Sequence, residues 1–159
     1  MITIEKYNLE RKSEVDLLCV KPEQQAFTVG DIGDFISSLK SHEHPYLIIS
    51  DGNVVGFFVL DFLYTETYGF GDAKALGIRA LFVDHHFQGK GIATKALNLL
   101  PSYVVTHYPD FEVLQLTVNC RNTFAYSCYC KCGFEDTGNL YLGGPSGPQH
   151  IMQRNIRFD

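Results

Sequence analysis

The rhythm of apolar and polar positions changes several times along the chain, and each change marks a new element. Ile2 and Ile4 alternate with polar neighbours up to Tyr7, the two-residue period of a half-buried strand. Val15, Leu17 and Leu18 then gather beside Glu14 and Asp16 in a helix that Pro22 should stop. A second short helix is predicted from Ile32 to Leu39, with Asp31 as its N-cap and Phe35 and Leu39 one turn apart. Tyr46–Ser50 and Val54–Leu60 are apolar runs on either side of Asp51-Gly52-Asn53, a specific hairpin signature. Thr65 to Asp72 is polar and contains glycine, so it reads as a loop.

Leu76 to Val83 is another buried strand, ending at Asp84-His85-His86-Phe87. Beyond a glycine-rich turn, Ile92, Ala96 and Leu100 recur every four residues with Ala93 and Leu97 alongside, the pattern of a helix lying on a sheet. Pro101 falls inside that pattern and should kink or end it. Val113–Val118 is the next strand, followed by a helix from Thr123 to Cys132 that Asn122 caps and Gly133 closes. Tyr141 to Arg154 reads as a hairpin across a Gly/Pro loop. With no repeat, linker or low-complexity tract, residues 1–159 are expected to form a single α+β domain.

Composition narrows the function classes. A chain of 159 residues, 45% apolar and 19% charged, suits one soluble globular domain with a real core. No apolar run reaches bilayer length, and the first residues lack the basic-then-apolar pattern of an export signal, so a cytoplasmic protein is expected. A net charge of −5 weighs against nucleic acid or an anionic membrane as the main partner. The cysteines number five, and Cys120, Cys128, Cys130 and Cys132 fall close together. An odd count without an export signal suggests reduced thiols. Alternate spacing on a helix scatters sulfurs around its circumference, so these residues read as small packed hydrophobes and no metal site is expected.

Candidate chemistry lies in the turn Gln88-Gly89-Lys90-Gly91-Ile92-Ala93 between a strand and a helix. The first N–H groups of a helix lack intrahelical partners and carry partial positive charge, which suits a pyrophosphate. Gly89 and Gly91 remove the side chains that would keep a phosphate away and allow positive φ. The chain has no G-x-x-x-x-G-K-[ST] phosphate loop, and the turn comes too late for a dinucleotide fingerprint. A plain strand-to-helix turn is the other reading that the motif allows.

Gln88, Gly91 and Ala93 match the pattern [QR]-x-x-G-x-[GA], and Asn122, Ala125, Tyr129, Lys131, Gly133 and Phe134 match N-x-x-A-x-x-x-Y-x-K-x-G-F downstream. Here the chain resembles the GNAT superfamily of N-acetyltransferases, in element order as well as motifs. The resemblance implies a mixed, mostly antiparallel sheet flanked by helices, with strands 76–83 and 112–118 splayed to admit acetyl-coenzyme A. It implies that the backbone of Leu81, Phe82 and Val83 pairs with the pantetheine arm. Gln88, Gly89, Lys90, Gly91, Ile92, Ala93 and Thr94 would hold the pyrophosphate, and Asn122 would bond the cofactor near its pantetheine. Tyr129 would stand beside the thioester sulfur as the acid.

That role has independent chemical sense. An alkylamine nucleophile, pKa roughly 10, must lose its proton, and the tetrahedral intermediate's oxyanion needs an N–H donor. The departing thiolate, of pKa roughly 8.5, can take a proton from a nearby phenol. A core aromatic is the alternative role for Tyr129. Glu66, Asp72, His85 and His86 lie near the strand leading into the turn, and none is selected as the base.

Val20 to Phe27 looks similar, through Gln24 and Phe27, to the bacterial spermine/spermidine acetyltransferase branch. With Glu23, Asp31, Asp34, Asp61 and Glu66 as possible ammonium partners, a polyamine-like primary amine is the favoured small-molecule acceptor. An aminoglycoside or a peptide N-terminus stays open, as does a homodimer. A non-catalytic acyl-coenzyme A-binding module on the same fold is the rival from another class, and the presence of Tyr129 argues against it.

Overall fold

A computed structural model of the chain describes residues 1–19, 31–69 and 74–157. Pro22, Asp72 and the Val20–Phe27 segment, with its Glu23, therefore lie outside the described residues. Strands β1 (Ile2–Lys6), β2 (Glu43–Ser50), β3 (Asn53–Asp61), β4 (Ala75–Val83), β5 (Val113–Asn119), β6 (Glu135–Tyr141) and β7 (Gln149–Asn155) form one sheet. Their order is β1-β2-β3-β4-β5-β7-β6, and every neighbouring pair is antiparallel except β4 with β5. Helices α1 (Lys12–Asp16), α2 (Ile32–Ser38), α3 (Tyr64–Tyr68), α4 (Ile92–His107) and α5 (Thr123–Lys131) complete the α+β domain.

The apolar runs of β2 and β3 are continuous because both faces of the sheet are covered. Leu47, Ile49, Phe57 and Val59 point to a core shared with Val15 of α1 and Ile32 of α2. Tyr46, Ile48, Phe58 and Leu60 point the other way, onto Ala96, Leu97, Leu100 and Val104 of α4. Between these strands Ser50 pairs with Asn53 across Asp51 and Gly52, both with positive φ (47° and 87°), a tight primed turn.

Four elements depart from the sequence reading. The first helix is only five residues long, follows a 3-10 turn at Leu9–Arg11, and leaves Leu17 79% exposed. The expected loop at Thr65 holds α3, whose Tyr64 and Thr65 are buried; its polar residues mark a solvated face, and Gly69 (φ 73°) ends it. Pro101 lacks an N–H for the Leu97 carbonyl, yet α4 runs on to His107 because Leu97, Leu100, Pro101 and Val104 are all buried on the sheet. The last hairpin also begins earlier than expected, at Glu135. β6 is an edge strand with no buried residue, so it carries no alternation to read.

Two irregularities in β4 shape the centre. Phe57 pairs with Phe82 and Val59 with Arg79, so Ala80 and Leu81 both oppose Phe58. Ala80 takes φ 56°, and the strand bulges there. On its other side β4 pairs with β5 only at Ala75–Val113, Leu76–Leu114 and Gly77–Gln115. Beyond Gly77 the two strands part, which is the expected splay.

Candidate active site

β4 runs past the bulge to Val83, and a short 3-10 turn (His85–Phe87) carries the chain to Gln88. The Gln88 side chain closes this bend, its Nε2 donating to the Val83 carbonyl at 2.8 Å. Gly89 (φ 79°) and Gly91 (φ 73°) then take the left-handed conformation, and a Cβ on either would meet nothing within 4 Å. Gly91 is the N-cap of α4, so the first N–H groups of a sixteen-residue helix emerge beside open space. An anion can approach that backbone without obstruction.

One apolar pocket gathers eleven of the twelve residues expected at the site: Leu81, Phe82, Val83, Gln88, Gly89, Gly91, Ile92, Ala93, Thr94, Asn122 and Tyr129. Lys90 is not among its lining residues. Its ammonium lies 5.6 Å from the centre of the Phe87 ring, a cation–π contact. Asn122 caps α5, its Oδ1 accepting from Ala125 N at 3.2 Å, which leaves its amide N–H groups as donors.

Tyr129 occupies a junction. Besides the apolar pocket it lines a polar one, with Tyr64, Tyr68, Arg79, Thr117, Tyr141 and Gln149, and a third with Asn119 and Ser146. Leu81 of the bulge is the other residue lining all three. Burial, reinforced by the neighbouring Cys128 and Cys132 sulfurs, pushes the Tyr129 hydroxyl well above the usual phenol range. At neutral pH it is a protonated donor.

Residues 4–134 match the acetyltransferase (GNAT) family. The chain belongs to that family. YbbJ of Bacillus subtilis (strain 168), an uncharacterised N-acetyltransferase, is 33% identical, over 82% of this chain and 88% of its own length. In solved structures the fold recurs in AAC(6′)-Ib bound to paromomycin and acetyl-coenzyme A, with TM-score 0.77, 20% identity, and 97% and 93% of the two chains covered. It recurs in the spermidine N-acetyltransferase of Vibrio cholerae bound to coenzyme A and spermine, with TM-score 0.71, 16% identity, and 98% and 95% coverage. The ribosomal-protein-S18-alanine N-acetyltransferase of Escherichia coli gives TM-score 0.69 at 16% identity, with 100% and 96% coverage. At such identities these three share the fold with this chain. As a GNAT protein the chain is an acyl-coenzyme A-dependent N-acetyltransferase, with acetyl-coenzyme A as cosubstrate.

Within this GNAT domain some predicted neighbours of the site do not converge on it. Asp61 is buried; its carboxylate lies 3.2 Å from His42 Nδ1 and 3.6 Å from the Arg79 guanidinium, which also meets Glu43. Asp31 caps α2 by accepting from Asp34 N, and Glu66 is exposed on α3. His85 and His86 face each other at 3.0 Å on the turn beyond β4 and line none of the three pockets.

The sequence reading missed four lining residues, Phe87, Phe124, Ala125 and Cys128. Cys128 of α5 and Cys132, the C-cap four residues on, share a face toward Thr94, whereas Cys130 is exposed. The four-residue spacing was the available signal for that pair. No helix among the described residues is long and apolar enough to cross a membrane.

Proposed function

We propose that the chain moves the acetyl group of acetyl-coenzyme A to the primary amine of a small, polyamine-like molecule, by direct attack through a tetrahedral intermediate. The observation that carries this reading is the position of Tyr129, shared by the apolar pocket behind the open glycine turn and the polar pocket between Tyr64, Tyr68 and Tyr141. A donor entering from one side and an acceptor from the other would meet beside one phenol.

The residues suit both substrates. The open glycines and the free first-turn N–H groups of α4 can take a pyrophosphate, and the apolar wall from Leu81 to Val83 an extended arm. Tyrosine rings in the polar pocket attract an ammonium group through their faces. Behind them Glu43 and Asp61 outnumber Arg79, so the charge there favours a cation. Among the described residues no carboxylate or imidazole lines the three pockets, so the amine would shed its proton to water. The bulge leaves Ala80 and Leu81 without ladder partners of their own, a source of backbone donors for the oxyanion. Tyr129 would then donate its proton to the departing sulfur.

Thiol release from acetyl-coenzyme A, measured with spermidine, an aminoglycoside and a peptide bearing an N-terminal alanine, tests the assignment. The highest kcat/KM is expected with spermidine. Turnover confined to the aminoglycoside or the peptide would move the acceptor to that class. Tight coenzyme A binding without turnover on any amine would favour the binding module.

A further inference from the structure

We propose that Cys19, His85 and His86 form a binding site for one zinc ion, outside the acetyl-transfer pockets. The fold brings these residues together across 66 positions of sequence, through backbone contacts rather than chance proximity of long side chains. His85 N donates to the Cys19 carbonyl at 2.8 Å. The buried carboxylate of Asp84 ties both segments, accepting from Cys19 N at 3.0 Å through one oxygen and from His86 N at 2.9 Å through the other. Asp84 N in turn donates to the Val55 carbonyl in the sheet, so the cluster stands on the rigid end of β4.

The donor atoms lie close enough for a small side-chain adjustment to bring them onto one ion. Each residue offers one donor atom, and the three lie within 4.8 Å of one another, with Cys19 Sγ 3.8 Å from His85 Nδ1. Tetrahedral zinc, with Zn–S about 2.3 Å and Zn–N about 2.0 Å, places its sulfur and nitrogen ligands roughly 3.4–3.6 Å apart. His86 Nδ1 lies 2.9 Å from Asp84 Oδ1, which fixes the tautomer that presents the Nε2 lone pair to a metal. A carboxylate behind a ligating histidine is the usual second partner in such sites. One thiolate and two imidazoles are borderline-soft donors that select zinc over magnesium or calcium, and solvent can fill the fourth position. The ion would pin residue 19 to the turn that leads into Gln88, stabilising the entrance to the phosphate-binding loop.

The test uses untagged full-length protein, stripped with chelator and then freed of it. Cobalt is expected to bind at one equivalent. It should give the visible absorption of a four-coordinate ion and a near-ultraviolet sulfur-to-cobalt charge-transfer band, and zinc should displace both. Cys19→Ser should abolish the charge-transfer band, and His86→Ala should weaken zinc binding ten-fold or more; both side chains are exposed, and circular dichroism confirms folding. The double substitution Cys128→Ser, Cys132→Ser should leave the spectrum unchanged. Absence of stoichiometric cobalt absorption would overturn the site, as would a charge-transfer band that survives Cys19→Ser but is lost with Cys128 and Cys132.

Discussion

The Thr94 hydroxyl and the Cys128 sulfur stand 3.4 Å apart, joining the first turn of α4 to α5 on the wall of the apolar pocket. Cys128 also receives a hydrogen bond from Cys132 and feels the Lys131 charge, and together these outweigh burial and pull its thiol down to about 6. Cys132 moves the opposite way, because its proton is the one shared. The thiolate is the reactive form, so the alkylation rate at Cys128 should rise with pH through about 6 and level off before pH 8. An ordinary thiol would still be climbing there, toward its pKa of roughly 8.5. Coenzyme A should protect it. Peptide-resolved mass spectrometry of iodoacetamide labelling across pH decides the matter; a profile that follows exposed Cys130 and ignores coenzyme A would refute the shift.

Tyr129→Phe keeps the ring against Phe134, 6.0 Å between centroids, and removes only the proton. General acid catalysis contributes roughly 10²–10⁴-fold, so the chemical step should slow towards that range while acetyl-coenzyme A affinity barely changes. Because burial raises the phenol, it stays protonated as pH rises. The wild-type rate should therefore climb towards the amine pKa of roughly 10, with no fall attributable to Tyr129 below it. A folded variant with an unchanged single-turnover rate would return Tyr129 to the core.

Gly91→Val places a branched side chain at φ 73°, beside the helix N-terminus proposed to hold the pyrophosphate. Coenzyme A affinity should fall several-fold or more by calorimetry. A left-handed residue with a side chain also costs roughly 1–2 kcal/mol, so thermal unfolding should be followed in parallel. Unchanged affinity in the folded variant would displace the pyrophosphate from this turn.

Gly77→Ala tests the junction of β4 and α3. A Cβ there would sit 2.2 Å from Cγ of Tyr64, a ring already buried. Overpacking of this kind costs roughly 1–3 kcal/mol. Stability should drop by that order in urea titration, and KM for the amine should rise because Tyr64 lines the polar pocket. Wild-type values for both would show that the ring moves freely.

Much of the proposed phosphate-binding side was legible because local chemistry dictates it. Glycines at positive φ, a helix start and the Asn122 cap act within a few residues of one another, so spacing alone reveals them. The acceptor side was not legible in this way. Tyr64 stands just before a stretch that reads as a loop and was assigned to no element, and Asp61 looked like a free acid because nothing local shows that Arg79 and His42 meet it. Tyr141 reaches the same pocket from a separate hairpin. Cys19 and His85 are likewise joined only by tertiary contacts. Composition and spacing carry no record of such meetings.

The three residue pairs that join β4 to β5 make the sheet two panels sharing a short seam. Past Gly77, each panel's inner edge has backbone groups that the other panel does not satisfy. An extended ligand arm laid into that opening would act as a temporary eighth strand on the β4 side, stitching the panels where the protein leaves them apart. Occupancy and mechanical integrity would then be coupled: the loaded protein would resist heat and proteolysis more than the free one, by an amount set by ligand concentration over Kd.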